Sequence, residues 1–217
     1  MGLDVRWAVQ WLKLSAEAMN SHRMELIELD RAIGDSDHGE NMDRGFQAVV
    51  AKLEESPPET PGAALKVAAM TLMSKVGGAA GPLYGTAYLR ASTSLGDVTD
   101  VDAGALAAAL GAARDGVVAR GKAEPGDKTM IDAWTPAVEA AQKAAADGKD
   151  PGEVLDAAAK AAQAGAESTD ALVARKGRAS YLGERSAGHR DPGAASTALL
   201  LRAAATAAGA DPGAGAA

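Results

Sequence analysis

The chain lacks cysteine altogether, and this absence excludes disulfide bonds, thiolate metal ligands and a cysteine nucleophile. Aromatic residues make up only 3% of its 217 residues, so a core has to be built mainly from leucine, valine, methionine and the abundant alanine. It contains no run of about 18 uninterrupted apolar residues, as a membrane span would need, and its amphipathic N-terminus does not have the pattern of a signal peptide. We therefore expect a cytoplasmic protein.

Positive charge is also in short supply. The chain has 22 basic and 29 acidic residues, a net charge of −7. Because nucleic-acid-binding proteins are usually basic, we expect no nucleic-acid partner, and we expect no membrane partner either. The sequence also lacks G-x-x-x-x-G-K-[ST], which excludes a P-loop NTPase. An anionic ligand of this chain would have to be held by cations or backbone amides.

Apolar residues recur with helical spacing along almost the whole chain, and no alternating strand pattern with a hairpin turn appears. We predict nine helical segments, of which the seventh covers 128–147, the eighth 152–175 and the ninth 192–208. No linker is long enough to separate two domains. The predicted fold class is therefore all-α, with one domain at 1–208 and a disordered tail at 209–217.

The stretch IGDSDHGENM, which begins at residue 33, gathers negative charge in a short glycine-flanked segment. On a continuous helix Asp35 and Asp37 would be about 200° apart, so they could not converge with Asp30. If Gly34 ends the helix, the following turn can bring all three carboxylates together. Three ionised carboxylates in contact repel strongly unless a cation lies among them, and oxygen ligands favour Mg²⁺ or Ca²⁺.

An EF-hand does not fit this segment. Counted from Asp35, position 12 is Phe46, where that motif requires a bidentate glutamate. A site with few protein ligands and room for water and phosphate suits Mg²⁺ better. The alternative is that these acidic residues belong to a helix-capping turn without a metal.

Three further loops contain more glycine than a simple helix connection needs. VGGAAGPLYGT could form an amide-lined anion site, although close helix packing is the simpler explanation of that stretch by itself. In GHRDPGAAS, Asp191 can cap a helix that begins at Pro192, with or without an anion at its N-terminus. Arg178 and Lys128, each in a glycine-flanked loop, are either phosphate or ribose contacts or solvated surface cations.

Four stretches, in this order, together resemble the nucleotide-binding L subunit of dihydroxyacetone kinase: ELDRAIGDSDHGENMDRGF, GGAAGPLYGT, RGKAEPGDKTMIDAW and KGRASYLGERSAGHRDPGA. The resemblance covers nearly the whole chain. It implies a single-domain barrel of about eight antiparallel amphipathic helices, with the nucleotide site at one end.

The resemblance also implies a site. Asp30, Asp35 and Asp37 would hold two Mg²⁺ ions that bridge the phosphates of ADP, and the loop 176–193, here called the lid loop, would cover them. No protein nucleophile is implied. The family commonly has serine at the position of Ala80, so one hydroxyl contact would be lost there. The implied nucleotide-binding residues are His38, Gly39, Glu40, Asn41, Ala79, Ala80, Gly121, Met130, Arg178, Asp191, Pro192 and Gly193.

The activity implied by the resemblance is phosphoryl transfer from Mg-bound nucleotide to dihydroxyacetone held on a separate K subunit. In one version ADP is a retained coenzyme, recharged by a phosphohistidine-carrying M subunit of a phosphotransferase system. In the other the chain belongs to an ATP-dependent kinase of dihydroxyacetone or a related ketose. The residues by themselves also fit a cation-binding helical protein without catalysis, or a nucleotide-binding scaffold. A homodimer is compatible with all of these hypotheses.

Overall fold

Nine α-helices make up most of residues 2–209, the part of the chain that this computed structural model describes. Two 3₁₀ helices, Thr169–Ala171 and Arg178–Ser186, precede the last α-helix. The only β-type pairing within residues 2–209 is an isolated bridge between Leu3 and Val101, so the predicted all-α class is confirmed. The helices α1 to α9 are, in order, Val5–Ser21, Arg23–Ile33, His38–Glu55, Pro61–Lys75, Ala80–Leu95, Ala103–Gly121, Ile131–Ala146, Pro151–Ser168 and Pro192–Gly209.

The helices form a closed ring in which each one packs against the next. Only His22 separates α1 from α2, and both pack on α3 and α9, so together they fill one position of the ring. Contacts then run in sequence from α3 to α9, and α9 packs back on α1. Within residues 2–209 the ring therefore has eight positions. Most connections between neighbouring helices are short, which makes those helices antiparallel, as the predicted barrel requires. The long exception, 169–191, joins α8 to α9.

Local sequence signals set where several helices begin. The side chains of Asp102 and Thr60 each accept a hydrogen bond from a backbone N–H in the first turn that follows. Asp150 and Glu153 form a complete capping box at the start of α8. Asp191 caps α9, because its Oδ2 accepts from Ala194 N at 2.7 Å. The predicted helix start at Pro192 is confirmed.

Two of the few aromatic residues close the ring between α1 and α9. The indoles of Trp7 and Trp11 stack with their ring centroids 5.3 Å apart. Trp7 Nε1 donates to Ala204 O at 3.1 Å, and Trp11 Nε1 donates to Leu200 O at 2.9 Å. Each indole is thus buried with its N–H satisfied by the backbone of α9, which ties the last helix of the ring to the first.

Two predicted helix boundaries are wrong. The eighth helix was expected to reach residue 175, but α8 ends at Ser168 and a 3₁₀ turn follows. There the Thr169 hydroxyl accepts from Asp191 N at 3.0 Å, which fixes the chain where it leaves the helix. The seventh helix begins at Ile131 instead of residue 128, because Lys128 has a left-handed backbone with φ of 63°.

The predicted tail falls mostly outside the described residues. Gly209, its first residue, is the last residue of α9, and residues 210–217 lie beyond the described range, so the division into domain and tail stays a prediction. Within residues 2–209 no helix combines the length and the apolar character that crossing a membrane demands.

The contact between α7 and α8 depends on Gly165. A Cβ at Gly165 would collide with the Asp132 carbonyl oxygen and would lie 2.8 Å from Pro136 Cγ. We expect Gly165→Ala to lower the free energy of unfolding by about 1–3 kcal/mol, measured by urea denaturation. The control is Gly104→Ala in the exposed first turn of α6, which should leave stability unchanged or slightly higher. Equal losses in both variants would contradict this account of the packing.

Candidate functional site

One end of the barrel holds an open cavity of about 850 Å³, a volume that includes space open to solvent. The helices α3, α5, α7 and α9 all begin at this end, and His38, Ala80, Met130 and Pro192 from their first turns or caps line the cavity. Helix starts carry unpaired N–H groups and the positive end of the helix dipole. Four of them around one cavity favour an anionic ligand.

The acidic turn lies on the wall of this cavity. Gly34 follows the last residue of α2, and the chain then turns through Ser36, whose backbone is left-handed with φ of 66°. As a result, carboxylate oxygens of Asp30, Asp35 and Asp37 all lie within 4.8 Å of one another. Asp30 is buried and the other two are exposed. The predicted convergence is confirmed, whereas the role of the three as metal ligands stays a prediction.

Asp30 also holds the turn in place. Its Oδ2 accepts from the N–H groups of Asp37 at 2.9 Å and His38 at 3.1 Å, so a side chain from α2 caps the start of α3. Its Oδ1 lies against Gly34, where any Cβ would collide with it. The neighbouring carboxylate therefore favours glycine at position 34.

The donor set fits a hard divalent cation. Three carboxylates offer oxygen ligands, and the open cavity beside them leaves room for water or phosphate oxygens, which suits Mg²⁺. Arg178 from the lid loop lies over the same cluster, with its Nη2 3.0 Å from Asp35 Oδ2. A cation thus already offsets part of the negative charge without a metal.

The first turn of α9 is held against α5 by a buried tyrosine. Tyr84 OH donates to or accepts from Ser196 Oγ at 2.7 Å and Thr197 Oγ1 at 2.8 Å, and it contacts Gly193 O at 2.9 Å. Burial raises the pKa of the nearby Asp191 to about 7, although the N–H of Ala194 favours its charged form. Asp191 as a whole residue is half-buried, and the nearby ammonium of Lys128 also favours its charged form.

His38 faces the same turn of α9 from the other side. Its Nε2 lies 2.9 Å from Ser196 Oγ. Burial lowers the pKa of His38 to about 4, against the opposite effect of Asp30 and Asp35, so the imidazole is neutral at pH 7 in this state. As predicted, His38 lies beside the acidic turn, where it can hydrogen-bond a ligand without adding charge.

Most of the predicted ligand residues share this one cavity. Within residues 2–209, three of them do not line the cavity: Gly39, Glu40 and Gly121. Gly39 packs on the backbone of α2 at Arg23, Glu40 pairs with that same arginine at 3.1 Å, and Gly121 lies behind Leu83. The ligand roles of all fifteen stay predictions. The twelve that line the cavity are Asp30, Asp35, Asp37, His38, Asn41, Ala79, Ala80, Met130, Arg178, Asp191, Pro192 and Gly193.

Of the two roles predicted for Lys128, the structure excludes one. Lys128 lines the cavity but is only 1% exposed, so it is not a solvated surface cation, and its role as a ligand contact stays a prediction. Its Nζ donates to the carbonyl oxygens of Thr169 and His189. Two aspartates close to it in sequence, Asp127 and Asp132, are also buried. These neighbouring carboxylates were the sequence signal that could have indicated a buried Lys128, because a buried cation needs negative charge close to it.

The cluster allows a direct test of metal binding. We expect Asp37→Asn to abolish or strongly weaken Mg²⁺ binding, measured by calorimetry, because one of three charged ligands is lost. The stability of the metal-free protein should hold or rise, since repulsion among the carboxylates falls. Asp97→Asn, in the exposed connection between α5 and α6 at the opposite end, is the control. Unchanged Mg²⁺ affinity in Asp37→Asn would refute the metal assignment.

Asp37 is a better choice for this test than Asp30. Removing the Asp30 carboxylate would also remove the cap of α3, at a cost of about 1 kcal/mol or more. If an Asp30 variant lost Mg²⁺ binding, the missing ligand could not be distinguished from an altered conformation of the turn as the cause.

Comparison with known proteins agrees with the resemblance found in the sequence. Residues 32–206 match the model of the DAK2 domain. The chain is 44% identical over 202 residues to "PEP-dependent dihydroxyacetone kinase, ADP-binding subunit DhaL" of Escherichia coli (strain K12), with 93% of this chain and 96% of that protein covered. It is 40% identical over 199 residues to the "PTS-dependent dihydroxyacetone kinase, ADP-binding subunit DhaL" of Lactococcus lactis, covering 92% and 95% of the two chains.

A solved structure shares the fold. It is the dihydroxyacetone kinase from C. freundii in complex with AMP-PNP and Mg²⁺, with a TM-score of 0.69 and 26% sequence identity. The similarity covers 95% of this chain but only 34% of that one, so this chain spans about a third of the longer kinase. By its match over most of its length, the chain belongs to the DAK2 domain family and is a relative of the ADP-binding subunits of dihydroxyacetone kinase.

Proposed function

We propose that the chain is the ADP-binding subunit of a dihydroxyacetone kinase, and that it transfers a phosphoryl group from Mg-bound nucleotide to dihydroxyacetone on a separate subunit. The observation that carries this proposal is the meeting of a three-carboxylate cluster with four helix starts in one open cavity. The carboxylates suit metal ions, the helix starts suit phosphates, and a metal–polyphosphate complex needs both side by side.

The start of α5 is suited to the phosphates. Gly78 has a left-handed backbone with φ of 63°, which turns the chain into the helix at Ala79 and Ala80. In the described part of the chain no side chain caps this helix start, so its amides can donate to a phosphate oxygen. Ala80 lacks the hydroxyl that the family commonly has, but its backbone N–H does not depend on the side chain.

The acidic turn would hold the metal ions. Asp30 is fixed by its two hydrogen bonds to the start of α3, while Asp35 and Asp37 lie exposed at the mouth. Bound Mg²⁺ would supply charge neutralisation for the phosphates and for the transition state of phosphoryl transfer. The number of ions, two, is what the resemblance implies.

The protein's own contribution is positioning. In phosphoryl transfer, most of the catalysis comes from holding the phosphates in line with the acceptor and stabilising charge. His38, Asn41 and Arg178 line the cavity around the place where the phosphates would lie. The open mouth would allow a hydroxyl group presented from outside to reach a phosphate bound in the cavity.

We infer that this hydroxyl comes from a K subunit that holds dihydroxyacetone, and that a phosphohistidine on an M subunit recharges the ADP. The name of the E. coli relative, an ADP-binding subunit of a PEP-dependent kinase, supports this arrangement, as does the length match of 96%. The alternative is ATP as direct donor. It is supported by the C. freundii kinase, whose structure contains the ATP analogue AMP-PNP on a chain about three times as long.

Reconstitution separates the two donors. We expect ADP to co-purify with the chain and to be released on denaturation, because a coenzyme held by metals and a lid dissociates slowly. Dihydroxyacetone phosphate should form only when the K subunit and a phosphoenolpyruvate-fed M subunit are both added. Sustained turnover with ATP and the K subunit, without M, would establish the ATP-dependent alternative. No turnover with either donor would refute the proposed function.

Arg178 should affect metal and nucleotide in opposite directions. It is 70% exposed and paired with Asp35, so Arg178→Ala should change apo stability by less than about 1 kcal/mol. Because the arginine competes with a cation for that carboxylate, Mg²⁺ without nucleotide should bind at least as tightly as before. ADP should nevertheless dissociate faster, because the lid loop loses its positive charge over the phosphates.

The measurements are calorimetry with Mg²⁺ and stopped-flow release of a fluorescent ADP analogue. Arg185→Ala, an exposed arginine in the same 3₁₀ helix, is the matched control and should behave as wild type in both. Hydrogen exchange in the lid loop should slow when Mg-ADP is added. Equal exchange rates with and without Mg-ADP would argue against closure of the lid loop over the ligand.

A further inference from the structure

The loop before α7 is held in one conformation by two aspartates. The carboxylate of Asp132 accepts from Gly126 N at 2.5 Å and from Thr129 N at 2.8 Å, so it bonds the chain on both sides of Lys128. Asp127 accepts from Glu124 N at 2.8 Å. These bonds hold Lys128 in its left-handed conformation, which a residue with a side chain adopts only when its surroundings impose it.

This conformation sends the Lys128 side chain inward, to a place where two other segments meet. Its Nζ donates to Thr169 O, in the turn that ends α8, and to His189 O, near the end of the lid loop. A cation at the C-terminal end of a helix is favourable. Asp191 N donates to Thr169 Oγ1 at 3.0 Å, so the same turn also holds the cap of α9.

The charge of Lys128 is balanced by carboxylates on three sides. Burial lowers the pKa of Lys128, while Asp191, Asp170 and Asp132 favour its charged form. Asp170 is itself bound by Arg190, at 3.0 and 3.1 Å. Two of the three N–H groups of the ammonium donate to backbone carbonyls. The ammonium therefore holds backbone segments together and does not have all its donors available for a phosphate.

We propose that Lys128 is a positioning residue of the nucleotide site. Its ammonium joins the end of α8 to the end of the lid loop, and in this way it fixes the segment Asp191–Gly193 at the cavity wall. The inference rests on the proposed nucleotide-binding function. It predicts that removing the ammonium loosens the end of the lid loop and the start of α9, while the acidic turn, to which the ammonium is not bonded within residues 2–209, keeps its affinity for Mg²⁺.

Two variants test this role. Lys128→Met keeps the unbranched side chain as far as Cε but removes the ammonium group, and its Kd for ADP in the presence of Mg²⁺ should rise at least tenfold. Mg²⁺ binding without nucleotide should equal that of the wild type. Amide exchange at residues 189–191 should become faster. Leu155→Ala, a fully buried residue of α8 outside the cavity lining, is the control for a loss of stability alone.

Chemical rescue distinguishes positioning from general destabilisation. In Lys128→Ala, added n-propylammonium replaces the missing part of the side chain and should restore ADP affinity and slow exchange at 189–191, whereas 1-propanol should do neither. If Lys128→Met does not fold, the titration of Lys128→Ala with n-propylammonium tests the proposal instead. Wild-type ADP affinity in Lys128→Met would overturn the proposal. A loss of ADP affinity that propylammonium does not restore and that Leu155→Ala reproduces would also overturn it. Failure of the wild-type chain to bind ADP would instead refute the proposed function.

Discussion

The alternating direction of the helices in a closed ring is the constraint on which the site depends. With an even number of ring positions, eight in the described part of the chain, α9 can return antiparallel to α1, and the Trp7 and Trp11 hydrogen bonds join the two. The starts of α3, α5, α7 and α9 then necessarily lie at one end. Their dipoles and unpaired amides make that end favourable for anions before any side chain is considered.

If the chain binds a nucleotide as proposed, two kinds of anion have to share this end of the barrel. The helix starts stabilise carboxylates as well as phosphates. The carboxylate of Asp30, for example, accepts hydrogen bonds from two N–H groups at the start of α3. A polyphosphate beside three carboxylates would be repelled if nothing else were present. Cations resolve the conflict. Arg178 supplies one at Asp35, and the donor set of the acidic turn suits divalent ions.

The parts of this structure that were predictable are those encoded by short-range sequence. Helical spacing gave the fold class, Gly34 between the aspartates indicated the turn that lets them converge, and Asp191 before Pro192 marked the start of α9. Lys128 was not predictable in the same way. Its glycine-flanked loop is typical of a surface segment, and only the three-dimensional packing shows that Asp132 fixes the loop and that Thr169 and His189 lie within reach. The early end of α8 has the same origin, because its cause is a hydrogen bond to a residue 22 positions away.

The lid loop is fastened at both ends and touches the acidic turn near its start. Near its two ends, the pairs Asp127–Arg175 at 3.0 Å and Asp170–Arg190 at 3.0 Å fasten it to the barrel. The first turn of its 3₁₀ helix rests on a small apolar contact between Ala179 and Ile33, the residue just before the acidic turn. Within residues 2–209, the one ion pair that joins this first turn to the acidic turn is Arg178–Asp35, and it uses an oxygen that a metal ion would also use. Binding a cation and moving this part of the lid loop would therefore not be independent events, because both would change the occupancy of the same carboxylate. A metal ion bound at Asp35 would leave Arg178 free to meet a phosphate, so binding of the first ligand would prepare the site for the second.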